Sequence, residues 1–314
     1  MADIKKIATR ESYGNALCEL GEKYDILVLD ADLSKSTKTA TFAAVYPERH
    51  LNMGIAEGNM MSVAAGLAAC GKIVFASSFA MFAAVRAAEQ IRNSVCYPKL
   101  NVKVAATHAG LTVGEDGASH QCIEDVAVMR AIPGMVVVCP CDAIETKMAI
   151  KAAIEYDGPM YIRLGRLAVE DVFDASDYTF QLGKGITVKD GSDVTIVASG
   201  LMVQESIKAC EILAKEGISA RLIDMHTLKP IDKDILVKAA KETGLIVTVE
   251  EHNIAGGLGS AVCEALSENY PCKVKMIGVE ETFGTSGTPA EILDMYGFTG
   301  EAIASKVKAA LASK

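Results

Sequence analysis

Short apolar runs alternate with longer mixed segments along the first half of the chain. The runs are rich in β-branched residues and predict buried strands of a parallel sheet: DILVLD, KIVFASS, NVKVAAT, MVVVCP and PMYIRL. The longer segments between them predict helices: NMMSVAAGLAAC, FAAVRAAEQIRNSV and AIETKMAIKAAIEY. This alternation indicates an α/β fold, in which helices pack against a mostly parallel sheet.

A polar, Asp-rich segment with interspersed glycines follows Arg166 and predicts a connector. Beyond it the same alternation returns. The predicted strands are DVTIVASG, SARLIDMHTL, GLIVTVEE and CKVKMIGV, and the predicted helices are VQESIKACEILAKEG, IDKDILVKAAKETG and GSAVCEALSEN. We therefore expect two α/β domains, each a mostly parallel sheet with flanking helices, at residues 1–170 and 191–314, joined by a linker at residues 171–190.

Composition narrows the function classes. The chain has 314 residues, 50% of them hydrophobic, and a net charge of −9, which argues against nucleic-acid binding. No apolar run approaches the roughly 18 residues that span a bilayer, so we expect a cytoplasmic protein without a membrane segment. Nine cysteines suit a reducing compartment. Cys139 and Cys141 stand too close together to resemble a zinc pair, and we expect no metal ligands on this chain.

The run NMGIAEGNM, residues 52–60, places one glutamate among apolar and amide side chains. If the neighbouring apolar runs are strands, a helix that begins near Glu57 starts at the carboxyl edge of the sheet, where α/β proteins bind ligands. The alternative is a carboxylate placed at a helix start, where the helix dipole favours it. A buried carboxylate needs a partner in either case.

The segment THAGLTVGEDGASHQCIED, residues 107–125, follows a predicted strand and is the second candidate. It holds His108, Glu115, Asp116 and His120, and loops after parallel strands often carry catalytic groups. A solvated hydrophilic turn is the alternative.

Two further features have weaker signals. Phe79 and Phe82 are three residues apart and could share a helix face, in a site or in the core. The glycines of EEHNIAGGLGS precede a predicted helix, but their spacing does not complete a GxGxxG motif, so we interpret them as a loop.

Together these segments resemble the C-terminal half of transketolase over essentially the whole chain, as a pyrimidine-binding domain followed by a transketolase C-terminal domain. NMGIAEGNM is similar to that family's GIAEQNM signature, and GEDGASHQ is similar to its GEDGPTHQ, with Ala118 and Ser119 in place of Pro and Thr. The resemblance implies thiamine diphosphate as the cofactor, with Glu57 hydrogen-bonded to N1′ of its aminopyrimidine ring, so that the cofactor can act as a carbon nucleophile.

The resemblance also assigns roles to individual residues. It implies catalytic roles for Glu57, His108 and His120; cofactor binding by Glu57, Phe79, Phe82 and Asp32; and substrate binding by Arg10, Ser36, His108, Asp116 and Arg166. Arginines, a hydroxyl and an imidazole are a suitable set for a phosphate dianion. A loop-capping role remains an alternative for Asp32.

One segment of the family pattern is missing. Transketolases bind Mg²⁺ and the diphosphate through a GDG…N segment in their N-terminal half, whereas KDGSD in this chain begins at Lys189 within the predicted linker. The resemblance therefore implies half an enzyme: a ketol-transferring subunit whose partner, an N-terminal-half chain, supplies the Mg²⁺ and diphosphate ligands. We expect two copies of each chain and sugar-phosphate substrates.

Three alternatives remain at this stage. One is the β subunit of a 2-oxo acid dehydrogenase E1 component, which has the same organisation but would not need a phosphate-binding set. Another is a sugar-phosphate synthase related to deoxyxylulose phosphate synthase, which is usually a single longer chain. The third is a non-catalytic assembly subunit that keeps the fold.

Overall fold

The computed structural model describes residues 6–313, and its first half is built on short, mostly buried strands. These strands are β1 (Lys6–Ala8), β2 (Ile26–Asp30), β3 (His50–Asn52), β4 (Ile73–Phe79), β5 (Val102–Thr107), β6 (Val136–Val138), β7 (Met160–Arg163) and β8 (Ala168–Glu170). The helices are α1 (Thr9–Leu20), α2 (Ser34–Thr37), α3 (Thr39–Val45), α4 (Glu57–Ala69), α5 (Ala88–Gln90), α6 (Asp125–Ala131) and α7 (Ala143–Glu155).

The second half repeats this alternation. Its strands are β9 (Ile186–Lys189), β10 (Val194–Ala198), β11 (Ala220–Asp224), β12 (Thr227–Lys229), β13 (Leu245–Asn253) and β14 (Lys273–Val279). Its helices are α8 (Met202–Lys215), α9 (Lys233–Thr243), α10 (Leu258–Asn269), α11 (Pro289–Met295) and α12 (Gly300–Ala312).

Two parallel-dominated sheets organise these elements. One has seven strands in the order β12-β6-β7-β5-β4-β2-β3, and the other has five in the order β14-β13-β10-β11-β9. Within them only the β12–β6 and β11–β9 pairs are antiparallel, and β1 pairs with β8 in a separate two-stranded ladder. The predicted fold class, α/β with two mostly parallel sheets, is confirmed. The domain boundaries stay a prediction.

The segment SARLIDMHTL departs from the single strand expected for it. It forms β11 in the five-stranded sheet and then β12, which pairs with β6 at the edge of the seven-stranded sheet. Between β11 and β12, the main-chain N–H of Met225 donates to the main-chain oxygen of Ala198 at the end of β10. The main-chain N–H of Cys139, which follows β6, donates to the main-chain oxygen of His226. The chain therefore joins the two sheets. The predicted linker also contains a strand, β9, paired with β11.

The expected helix FAAVRAAEQIRNSV is wound irregularly. Two π-helical turns, Met81–Arg86 and Ile91–Cys96, flank the short helix α5. Small side chains allow this winding to pack closely, since Ala83 and Ala84 are fully buried. Wide turns of this kind are rare and often occur at functional sites. No helix in residues 6–313 is both long enough and apolar enough to cross a membrane.

A buried ion pair lies where the two halves meet. Arg163 at the end of β7 donates from Nε to Asp125 Oδ2 at 2.8 Å, and Tyr161 donates its hydroxyl to the same oxygen at 2.7 Å. Arg163 Nη2 donates to the main-chain oxygens of Cys122 and Glu251, at 3.3 and 3.0 Å. Burial raises the pKa of Asp125, but the charges of Arg163 and His252 outweigh it and keep that pKa below its ordinary value.

Asp125→Ala should destabilise the chain by about 3–5 kcal/mol, because it leaves the Arg163 guanidinium buried without its counter-charge. Glu155→Ala is a matched control, since Glu155 pairs with Lys151 on the surface of α7 at 2.7 Å. Denaturant unfolding followed by circular dichroism would compare the two variants. Equal losses of stability would contradict the importance of the buried pair.

Candidate active site

The predicted site residues lie at the carboxyl ends of neighbouring strands. Asp32 follows β2, Phe79 ends β4, His108 follows β5 and Arg166 follows β7, while Glu57 begins the helix after β3. These strands are adjacent in one sheet, in the order β7-β5-β4-β2-β3. Parallel strands end at a common edge, so residues far apart in sequence come together there.

Glu57 is buried and has charged and polar partners. Only 2% of the residue is exposed. Its Oε2 accepts a hydrogen bond from Arg86 Nη1 at 2.9 Å, and its Oε1 accepts one from Ser78 Oγ at 3.5 Å. The Arg86 side chain is 53% exposed, so the ion pair has one open side. Glu57 does start a helix, but its carboxylate bonds to side chains rather than acting as the cap of that helix.

Aromatic rings stand close to this ion pair. The Phe79 and Phe82 rings stack with centroids 5.9 Å apart, and the His108 ring stacks on Phe79 at 3.7 Å. His120 meets Phe82 edge-on at 5.5 Å. The Arg86 guanidinium lies over the Phe82 ring at 4.5 Å. Four predicted site residues thus form one aromatic wall, and a flat heteroaromatic ring suits such a wall.

His108 is held in a strained backbone conformation as a neutral ring. Its φ of 56° lies in the left-handed region that non-glycine residues rarely adopt. Arg10 Nη1 lies 3.0 Å from its Nε2, and Thr107 Oγ1 lies 2.9 Å from its Nδ1. Because the guanidinium can only donate, Nε2 accepts and Nδ1 carries the proton. Burial, with the nearby charges of Arg10 and Arg166, lowers the pKa of His108 to about 3.

Arg10 connects this imidazole to the β2 side of the site. Its Nη1 also donates to the main-chain oxygen of Ser36 at 2.9 Å, which places Ser36 beside Arg10. The Nε of Arg10 is buried and has no hydrogen-bond partner within residues 6–313. Burial and the charge of Arg166 lower the pKa of Arg10. The two arginines therefore create a cationic pocket with a donor still available.

The loop with the two acidic residues lies on the other side of His108. Asp116 is exposed at the end of the 3₁₀ turn Gly114–Asp116, and His120 is half-buried with its Nδ1 2.9 Å from Ser119 Oγ. Arg166 Nη1 donates to Glu115 Oε2 at 3.0 Å and to the main-chain oxygen of Val113. Arg166 thus also holds this loop in place.

Asp32 lies at the rim of the site. It is exposed, has a φ of 65°, and accepts a hydrogen bond from Asn52 Nδ2 at 2.9 Å. Asn52 ends β3, just before the segment with Glu57. Among the described residues, the hydrogen bond of Asp32 goes to Asn52 and not to Glu57 or the aromatic wall.

The sequence reasoning missed three contributors to this site: Arg86, Ser78 and Thr107. Arg86 had a detectable signal, since it is a cation flanked by alanines, four residues after Phe82. Ser78 and Thr107 are small polar residues at strand ends whose sequence context does not distinguish them from core positions.

Two other sequence features lie apart from these contacts. Cys139 and Cys141 are buried free thiols, and burial raises the pKa of Cys139 to about 11. Cys141 lies beside Glu145 and Asp224, and the possible ligand atoms of these three buried side chains are within 4.8 Å of one another. In the glycine-rich loop, the main-chain N–H groups of Leu258 and Gly259 at the start of α10 donate to Glu250, at 2.6 and 2.8 Å. A carboxylate of the protein therefore already occupies that helix N-terminus.

The donor set fits the ring that the resemblance implies. An aminopyrimidine offers a flat face and a ring nitrogen that can share a proton with a carboxylate. The site provides the nearly buried carboxylate of Glu57 beside the stacked rings of Phe79 and Phe82. The chemistry of these residues therefore fits such a ring.

Family models match both halves of the chain. Residues 5–171 match the family model described as transketolase, pyrimidine binding domain, and residues 183–303 match transketolase, C-terminal domain. Together the two models span most of the chain. The chain therefore belongs to the transketolase family.

Individual relatives are similar along their whole length. A protein of Methanocaldococcus jannaschii described as a transketolase C-terminal section is 54% identical over 95% of this chain and 94% of its own. One of the subunits of the apulose-4-phosphate transketolase of Phocaeicola vulgatus is 41% identical over 95% of each chain. A solved split-gene transketolase, an inactive β4 tetramer, is 54% identical with a TM-score of 0.89, over 98% of this chain and 99% of its own.

The His108 ring should stay neutral from pH 8 down to about pH 4, because its pKa is far below the ordinary value of about 6.5. Histidine NMR shifts of the chain, recorded across this range, would show it. Arg10→Gln removes a nearby positive charge and should raise that pKa, whereas Arg92→Gln, which changes an exposed arginine outside the site, should not. A His108 signal that titrates near pH 6 in the unaltered chain would contradict the assignment.

Proposed function

We propose that this chain is the small subunit of a two-chain transketolase, which transfers a two-carbon ketol unit from a ketose phosphate to an aldose phosphate. The observation that carries the proposal is Glu57, nearly buried beside an aromatic wall in a chain without a GDG…N segment. Relatives described as a C-terminal section and as one subunit of a transketolase support the division into two chains.

The partner chain completes the site. It supplies the ligands for Mg²⁺ and for the diphosphate, and we expect two copies of each chain in the assembly. The split-gene relative that forms an inactive β4 tetramer supports this dependence, since four copies of one chain are described there as inactive. This chain alone should therefore lack ketol transfer.

Residues of this chain bind and activate the cofactor from the pyrimidine side. Thiamine diphosphate, when bound, supplies a carbon nucleophile and an electron sink. Glu57 would share a proton with the pyrimidine ring nitrogen, and Phe79 and Phe82 would contact the ring. Arg86 now bonds to Glu57 Oε2, so it has to share this carboxylate or release it, and its exposed side chain leaves it room to do so.

The cationic pocket binds the substrate phosphate. Arg10 and Arg166 provide fixed positive charge, and the buried Nε of Arg10 offers an unused donor. Ser36 lies against Arg10 through its main-chain oxygen. Phosphate bound there fixes the sugar so that its reacting carbons face His108 and His120.

The remaining site residues act on the sugar itself. Asp116 accepts a hydrogen bond from a hydroxyl group of the donor sugar. His108 and His120 hold and move protons near the carbonyl group of that sugar. Asp32, at the rim with Asn52, borders the cofactor.

The decisive experiment measures ketol transfer from xylulose 5-phosphate to ribose 5-phosphate, with thiamine diphosphate and Mg²⁺. It compares this chain alone with a mixture that also contains the product of the neighbouring gene. Activity only in the mixture is expected. Full activity of this chain alone would refute the two-chain arrangement, and decarboxylation of a 2-oxo acid by the mixture would assign the chain to a dehydrogenase E1 component.

Glu57→Ala should lower ketol transfer of the mixture by at least about 10²–10⁴-fold, because the group that activates the cofactor is lost. Assembly with the partner should be unaffected, as judged by gel filtration. Glu216→Gln is the control, since Glu216 pairs with Lys308 on the surface of the second half. A well-folded Glu57 variant with normal activity would exclude the assigned role.

A further inference from the structure

The segment from Gly110 to Cys122 forms a closed loop, which we call the substrate loop because it carries Asp116 and His120. Its two ends pair with each other: Gly110 N donates to Cys122 O at 2.8 Å, and Cys122 N donates to Gly110 O at 3.2 Å. We call these paired ends, Gly110 and Cys122, the neck of the loop. Whatever fixes the neck therefore also orients the residues at the tip.

Glu251 of the five-stranded sheet fixes this neck. Its side chain is buried, and its Oε1 accepts a hydrogen bond from the main-chain N–H of Thr112. The carboxylate lies directly against Gly110: a Cβ at that glycine, whose φ is +81°, would clash with Glu251 Cδ. The main-chain oxygen of Glu251 accepts from Arg163 Nη2, which also donates to Cys122. One residue of the second half thus holds both sides of the neck.

The tip of the loop rests on the second half as well. Ser286 Oγ donates to the main-chain oxygen of Glu115 at 2.7 Å. Gln121 Nε2 donates to the main-chain oxygen of Thr285 at 2.8 Å. These contacts flank Asp116 on one side and His120 on the other. The second half therefore contacts the substrate loop at the neck and at the tip.

We propose that the C-terminal domain positions the substrate loop, and that Glu251 is the positioning residue through which it aligns Asp116 and His120 with the sugar. The inference rests on the proposed ketol transfer. It gives the C-terminal domain a role in turnover in addition to assembly. Displacement of a reacting group by about 1 Å can cost on the order of 10²-fold in rate, so the anchor of this loop should affect the chemical step.

The adjacent residue provides a matched control. Glu250 lies on the same strand, is buried to a similar degree, and accepts two main-chain N–H bonds. Its donors are Leu258 and Gly259 of the same domain. Glu250→Ala and Glu251→Ala therefore remove carboxylates that are buried to a similar degree, but only Glu251→Ala removes a contact with the substrate loop.

The test compares these variants as the assembled enzyme with its partner chain. Glu251→Ala should lower kcat about 10²-fold, with a smaller change in the KM for phosphorylated sugars, because the variant keeps Arg10 and Arg166 themselves. Glu251→Gln keeps one acceptor oxygen and should recover a large part of kcat. Glu250→Ala should lower the melting temperature and leave kcat within about two-fold. Equal loss of kcat in both alanine variants would overturn the inference.

Amide hydrogen exchange, measured on each variant of this chain without the partner chain, gives a readout that does not depend on activity. Glu251→Ala should speed amide exchange in residues 108–122, and Glu250→Ala should speed it in residues 256–262 instead. Unchanged exchange in residues 108–122 would refute the anchoring role, even if the wild-type mixture had no ketol transfer and the proposed function itself failed. If Glu251→Ala does not fold, Ser286→Ala replaces it, because it removes a separate contact between the second half and the substrate loop. Normal kcat together with normal exchange in residues 108–122 of Ser286→Ala would then refute the inference.

Discussion

The buried guanidinium of Arg163 sets the arrangement of the two halves of the chain. A guanidinium cannot lose its charge at ordinary pH, so burial obliges the fold to surround it with acceptors. They come from three places: the carboxylate of Asp125 at the start of α6, the main chain at Cys122, and the main chain at Glu251 on β13. The substrate loop, helix α6 and the five-stranded sheet therefore all contact the guanidinium of Arg163, near the sheet edge that carries the candidate site residues.

The site combines rigid and adjustable parts. Arg10, His108 and the aromatic wall are packed tightly, and His108 keeps a left-handed backbone because neighbours on both sides of its ring hold it. Glu57 and Arg86 form an ion pair whose cationic side remains open to solvent. The charged groups of the candidate site are therefore already in place, and the cation that a ligand of Glu57 would have to share or displace is exposed to solvent.

Sequence patterns predicted the central strands of both sheets, and the family resemblance selected the candidate site residues, whose roles stay a prediction. Runs such as DILVLD and NVKVAAT became buried parallel strands, because β-branched residues at that length suit the interior of a parallel sheet. Glu57 stood out for a similar reason, since a charge in an apolar segment needs a partner. The identity of that partner did not follow, because Arg86 lies 29 residues further along the chain and ends a π-helical turn that the pattern did not predict. The split of SARLIDMHTL and the role of Glu251 depend on contacts between distant segments, which a local pattern does not encode.

The π-helical turn Met81–Arg86 has a consequence for how this protein can change. Each residue of an α-helix advances the chain by about 100° around its axis, so the loss of one residue from the wide turn would rotate Arg86 away from Glu57 and leave the flanking segments largely as they are. The position of Arg86 relative to the Glu57 carboxylate therefore depends on the number of residues in this turn. An insertion or deletion in this turn would therefore change access to the Glu57 carboxylate even if Arg86 itself were kept.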